Sequence, residues 1–220
     1  MPAEEKLDVS YSAILSKCNW KDKMFKHDYP VVMGAIVTAK SSLSVTAWAI
    51  LLSPFLKTSL DNTISELRPL LSGTDQPSTP IQLLHQSFRD YLRRRDVSEV
   101  WTSLEPAATQ ERLALRCFQV TNTEIRKVTE LGKIEELGEL EVIPTIPQKN
   151  IPEHLAYACR YGLDHILHIQ HVSGALEIEI KKFLQESITT WLELCVCTER
   201  YISIYPFFDW IIKVSHGDAC

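Results

Sequence analysis

Apolar residues recur along most of this chain at three- and four-residue spacing, the period of a helix with one buried face. Leu7, Tyr11, Ile14, Leu15 and Cys18 trace a first stripe, opened by Glu4 and Glu5. A polar break at Asn19–Lys23 follows, with Trp20 expected to fold back onto the core. Phe25, Tyr29, Val32, Met33, Ile36 and Val37 mark a second helix within residues 25–40. Pro30 is expected near its beginning, because an interior proline costs about 3 kcal/mol. Ser44 is placed to cap a helix over Val45–Leu52 that buries Trp48, Leu51 and Leu52. A further helix around Ser59–Leu67 leads to the apolar pair Leu70-Leu71.

The period changes at residues 81–95. Ile81, Leu83 and His85 alternate with Gln82 and Leu84, as on a half-buried strand. From Phe88 on, Phe88, Tyr91 and Leu92 fall on a helix face. Ser87 sits where an N-cap would, and Arg93, Arg94 and Arg95 close the segment where the helix dipole favours positive charge. The loop Ser72–Pro80, with Gly73, Asp75, Pro77 and Pro80, is the strongest turn signal present. Helices, then a small β-hairpin with this loop as its wing, then a closing helix describe a winged helix over residues 1–95.

Residues 96–220 read as a helical linker or superhelical domain. A polar connection over 96–110 holds Trp101 and Pro106. Leu113, Cys117 and Val120 share one face; Ile125, Val128, Leu131, Ile134 and Leu137 mark a second helical stretch, loosened by Gly132 and Gly138. Pro144, Pro147 and Pro152 make 142–152 a stiff extended linker, with Pro152 placed to start a helix striped by Leu155, Cys159, Leu163 and Ile166. Gly174 breaks the chain, and Leu176, Ile180, Phe183, Leu184, Ile188, Trp191 and Cys195 form the cleanest stripe. The aromatic end, 201–212, predicts a helix broken near Pro206 with apolar surface suited to a protein partner.

Composition narrows the classes of chemistry. Of 220 residues, 45% are apolar, 23% charged and only 7 are glycine, which fits a helical globular protein and argues against a β-sandwich or propeller. No apolar run approaches the roughly 18 residues of a membrane span. The start has no basic region followed by an apolar core, so a cytoplasmic protein is expected, its six cysteines reduced. The net charge of −5 is uneven: residues 1–95 hold 12 Lys+Arg against 9 Asp+Glu, and residues 96–220 hold 11 against 19. Cys195 and Cys197, two apart on a helix, point roughly 200° from each other and cannot grip one metal. His165, His168 and His171 are spaced so that at most two could share a metal, and read as solvated helix histidines. No G-x-x-x-x-G-K-[ST] loop, G-x-G-x-x-G, H-E-x-x-H or G-x-S-x-G is present. Asp90, Glu153 and Asp209 are single carboxylates with no identifiable partner. No catalytic residue, metal or cofactor is assigned. The candidate recognition helix Val45–Leu52 carries no charge, which sets DNA binding by the winged helix second.

The segment Leu84-His85-Gln86-Ser87-Phe88-Arg89-Asp90-Tyr91-Leu92 resembles the L-H-x-S-F-R-D-[FY]-L signature of fungal NACHT-domain proteins, NOD-like signal-transducing NTPases of the STAND class. Asp28–Val37 with Leu43-Ser44 is similar to the family's winged helix after the NACHT core. Ile151–Tyr161 is similar to its P-x-x-L-x-Y-A-C-R-Y segment, and Phe183-Leu184 through Trp191-Leu192-Glu193 to its F-L-x-x-x-x-x-x-W-L-E helix. These matches follow the family's order of NACHT, winged helix, helical linker and WD-repeat propeller. The resemblance implies a regulatory and interaction region without catalysis, whose winged helix closes over a nucleotide held by a NACHT domain or a related full-length protein. It implies that His85 occupies the place of the family's phosphate-reading histidine. The 220 residues contain neither P-loop nor propeller repeats, so a fragment or a stand-alone derivative is expected.

Overall fold

The computed structural model describes residues 3–93, 100–102, 104–128, 131, 143, 145–200 and 202–217. The protein is mainly α-helical with one small antiparallel hairpin. It divides into two compact units, Met1–Thr109 and Gln110–Cys220. The boundary expected at 95/96 lies outside the described residues, as do Arg94, Arg95, Gly132, Ile134, Leu137, Gly138, Pro144 and Cys220.

Unit 1 runs α1 (Ala3–Leu15), α2 (Lys23–Thr38), α3 (Val45–Leu52), α4 (Leu60–Leu67), β1 (Leu71–Ser72), β2 (Gln82–Leu83) and α5 (Gln86–Arg93). This is the element order of a winged helix: Leu71 pairs with Leu83 and Ser72 with Gln82, and the wing between them is residues 73–81. Leu43 and Ser44 add a third rung, since the Ile81 amide donates to the Leu43 carbonyl at 2.8 Å and Ser44 bridges Pro80. Ser44 also caps α3, its hydroxyl accepting from the Ala47 amide at 3.1 Å. Gly73 turns the chain into the wing at φ +78°, where any Cβ would collide with the Pro80 carbonyl.

The core of unit 1 is α2, buried over most of its length, with Leu15, Leu51, Leu67 and Phe88 around it. Trp20 does fold back, its ring centroid 5.1 Å from Phe25, 4.9 Å from Tyr29 and 5.7 Å from Trp101. Trp101 corrects the expected polar connection: it is buried and ties the segment into unit 1. Its indole donates to the Tyr91 hydroxyl at 2.9 Å, and its carbonyl accepts from Tyr29 at 3.0 Å. Pro30 is a second correction. It is the eighth residue of α2, not near its start. Lys26, whose carbonyl loses the proline's missing donor, is exposed, so that group lies on the wet side of the helix.

Unit 2 contains most of α6 (Pro106–Glu124), then α7 (Glu153–Ile166), α8 (Gly174–Lys182), α9 (Ile188–Cys197) and α10 (Tyr205–Gly217). Of the second helical stretch expected over 125–137, Ile125–Lys127 is one 3-10 turn and Val128 and Leu131 are not helical, while residues 129, 130 and 132–137 lie outside the described residues. Thr123 helps end α6, its hydroxyl bonding back to the carbonyls of Gln119 and Val120. The 142–152 segment is not a free linker either. Ile146 and Ile151 are buried, and the Ile146 amide donates to the Cys197 carbonyl at 2.7 Å.

Gly174 begins α8 instead of breaking the chain, with the Ser173 hydroxyl as cap. Between α8 and α9, Phe183–Ser187 forms a π turn. The extra residue slips the register, so the buried face reads Leu176, Ile180, Phe183, Ser187, Trp191, Leu194 and Cys197. Leu184, Ile188 and Cys195, expected on that face, are half-buried. Pro206 is the second residue of α10, where its missing donor is harmless, so it starts that helix without breaking it.

Candidate functional site

His85 stands between the hairpin and α5. The Leu84 amide donates to the Leu70 carbonyl at 3.1 Å, carrying the pairing one residue past β2. His85 therefore leaves the sheet, a correction to the strand expected over 81–85. The helix begins at Gln86, which makes His85, not Ser87, the capping residue. Its Nδ1 accepts from the Ser87 amide at 3.1 Å and lies 2.7 Å from the Ser87 hydroxyl. That hydroxyl lies 2.7 Å from the Tyr11 hydroxyl of α1.

Directions follow from these contacts. An Nδ1 that accepts a backbone N–H carries a lone pair, so the ring proton of the neutral imidazole is on Nε2. Tyr11 can donate to Ser87, and Ser87 in turn to Nδ1. The ring is exposed, while its support is not: Phe88, Tyr91 and Leu92 are at most 2% exposed. Tyr11 packs over Phe88 at 4.9 Å and Tyr91 at 5.5 Å. The arrangement presents one N–H donor from a fixed base at a helix N-terminus, where partial positive charge gathers.

Arg93 ends α5 as expected, but its guanidinium turns inward and donates to the Val37 carbonyl at 3.3 Å, near the end of α2. That is cation-to-helix-end pairing, not a phosphate contact. Asp28 was not singled out by the sequence and is a buried charge held by several donors. Fully buried, it accepts from the amides of Lys57 (2.8 Å) and Thr58 (2.9 Å), the Thr58 hydroxyl (2.9 Å) and His27 (2.8 Å). Burial works against its charge, but the hydrogen bonds outweigh it and hold the carboxyl below its ordinary range. Its place three residues after Phe25 and beside Tyr29, on the apolar face, was the available signal.

The three histidines of 165–171 do not converge. His165 is fully buried, a correction to its reading as solvated: Nδ1 lies 2.7 Å from Gln110 Oε1, and Nε2 2.8 Å from the Tyr157 hydroxyl. The helix ends at Ile166, and His168 and His171 are exposed. Among the described residues, no group of three His, Cys, Asp or Glu could hold a metal. Asp90 and Asp209 are exposed, and Glu153 opens α7. The helix that precedes the hairpin, in the recognition position of a winged helix, is α4 and not α3. Its exposed positions are Asp61, Asn62, Ser65 and Glu66. On α10, Phe207 and Trp210 turn inward while Tyr205, Phe208 and Ile212 are exposed. No helix among the described residues is long and apolar enough to cross a membrane.

Comparison with protein-family models, curated proteins and solved structures returns no match.

Proposed function

We propose that this chain is a cytoplasmic, non-enzymatic regulatory and interaction region of a NACHT-type signal-transducing NTPase. Unit 1 acts as a lid over a nucleotide held by a NACHT domain that these 220 residues do not contain. The observation that carries this reading is His85: its Nδ1 is engaged from below, and its Nε2–H is offered outward at the mouth of α5. A β-phosphate is the acceptor such a donor suits, because the ligand's charge meets both the N–H and the helix end. The nucleotide would then join two domains and bias the pair toward its closed state.

The test is association with an isolated fungal NACHT domain, loaded with ADP or stripped of it, followed by calorimetry. Saturable binding that needs ADP and weakens at least about tenfold in His85→Ala is expected, the loss of one charge-assisted hydrogen bond. ADP-independent binding that ignores the substitution would overturn the proposal. Binding DNA through the winged helix is the alternative. The exposed Asp61 and Glu66 of α4 oppose it, since a duplex repels acidic side chains. Titration with generic duplex at low salt is expected to give no detectable affinity.

A further inference from the structure

Within unit 2, a cavity of about 260 Å³ opens between residues 145–151, α7 and the end of α9. Its floor is apolar, formed by Ile146, Ile151 and Leu194. Ala156, Cys195 and Ile202 line its sides and are only half-buried, so a ligand can reach them. Backbone contacts hold these walls. The Ile146 amide donates to the Cys197 carbonyl at 2.7 Å and draws residues 145–148 against α9. Past that helix Glu199 takes a φ of +55°, and the Arg200 amide donates back to the Cys195 carbonyl at 2.9 Å. The left-handed turn folds the chain over the helix end and brings Arg200 to the cavity.

Charge at this cavity runs against its surroundings. Residues 96–220 hold 11 Lys+Arg against 19 Asp+Glu, yet the lining has two arginines and no carboxylate. Arg160 is exposed, and Arg200 is half-buried. Arg200 gives one N–H to a neutral acceptor, Gln148 Oε1 at 2.7 Å, and Arg160 lies over the Tyr161 ring at 5.1 Å. Neither is ion-paired among the described residues, and each guanidinium carries further N–H donors. The volume sets the size of what fits. At about 30 Å³ for each water-sized group it holds about nine, which matches a chain of about eight carbons with its head outside. An apolar floor beside a cationic rim suits an amphiphile, whose chain leaves water while its anionic head is paired.

We propose that this cavity binds a medium-chain carboxylic acid, its chain against Ile146, Ile151 and Leu194 and its carboxylate at Arg160 and Arg200. The site lies in unit 2 and does not depend on the reading of His85. The probes are octanoate, octan-1-ol and acetate at matched ionic strength, added to the full chain. Calorimetry measures binding, and isoleucine and leucine methyl nuclear magnetic resonance signals locate it.

Octanoate is expected to bind saturably with a dissociation constant below about 1 mM and to shift the methyl signals of Ile146, Ile151 and Leu194. Octan-1-ol, which lacks the charge, should bind at least about tenfold more weakly, and acetate, which lacks the chain, should not bind. Arg160→Gln combined with Arg200→Gln should weaken octanoate at least about tenfold and leave octan-1-ol unchanged. Ala156→Leu, which fills the cavity from α7, should abolish binding of both. The comparison of octanoate with octan-1-ol needs no variant and decides the matter if a substituted protein does not fold. Absence of saturation by about 5 mM, octan-1-ol or acetate binding as tightly as octanoate, or octanoate binding unchanged in either variant would overturn the proposal.

Discussion

Replacing Asp28 by asparagine removes a buried negative charge while leaving its donors in place. Asparagine keeps the volume, but its single carbonyl oxygen can serve only part of the four-donor set, and its amide NH2 faces the rest donor against donor. The donors are not equal. His27 has a side chain 45% exposed and can turn to water, whereas the Lys57 and Thr58 amides belong to the backbone leading into α4. Each charge-assisted bond is worth about 1.5–3 kcal/mol, and one unsatisfied buried amide costs about 1–3 kcal/mol. Allowing asparagine to keep one amide, the loss is about 2–4 kcal/mol at pH 7.

The pH dependence carries a sign. Asp28 titrates below its ordinary range when folded, because its hydrogen bonds outweigh the opposing effect of burial. Its contribution is complete above the unfolded value of about 3.9 and is lost as pH falls through the folded one. The gap between the parent and Asp28→Asn should be present between about pH 5 and 7 and close below about pH 4. Tryptophans lie in both units, so fluorescence mixes their signals. Amide exchange resolves unit 1 directly, and Lys57 and Thr58 should lose protection first. A gap below about 0.5 kcal/mol at pH 7, or one that persists unchanged to about pH 3, would refute the reasoning.

Gly73→Ala should destabilise the hairpin by more than about 1 kcal/mol, through both its φ of +78° and the collision with Pro80, read as lost exchange protection at Ile81 and Leu84. His165→Leu removes the two hydrogen bonds that join buried His165 to Tyr157 and to half-buried Gln110, and should cost about 1–3 kcal/mol in urea unfolding, while zinc leaves the unfolding of the parent unchanged. Burial pushes the Cys159 thiol up to about 12 and that of Cys195 to about 11. Mass-resolved alkylation at about pH 8 should therefore modify both far more slowly in the native protein than in urea.

Helix existence was legible because helical periodicity is a local property. Val45–Leu52 has the bounds its pattern and the Ser44 cap predicted. What was not legible depended on distant partners. Pro30 sits inside α2 because the apolar residues around it are buried, a gain larger than one lost hydrogen bond. The π turn at Phe183–Ser187 changes which residues face inward without changing the sequence spacing, so a stripe drawn at constant period drifts onto Leu184, Ile188 and Cys195. His165 looked like a member of a polar run, and only Gln110, 55 positions earlier, and Tyr157 make its burial possible.

At the candidate site the sequence placed His85 at a strand-to-helix junction but assigned the cap to Ser87, and the exchange of roles matters. One ring nitrogen of His85 caps α5, while the other is turned outward, so structural and ligand-reading duties fall on different atoms of one side chain. Asparagine can separate them. It is among the best N-cap residues, and its side-chain oxygen reaches the same Ser87 amide. It is too short to carry a donor where Nε2 stands. His85→Asn should keep unfolding free energy within about 0.5 kcal/mol of the parent, whereas His85→Ala loses about 1 kcal/mol with the cap. If His85 reads phosphate, both substitutions should weaken ADP-dependent association with a NACHT domain equally, despite their different stabilities. Association that follows stability, surviving in His85→Asn and failing only in His85→Ala, would reduce His85 to a helix cap.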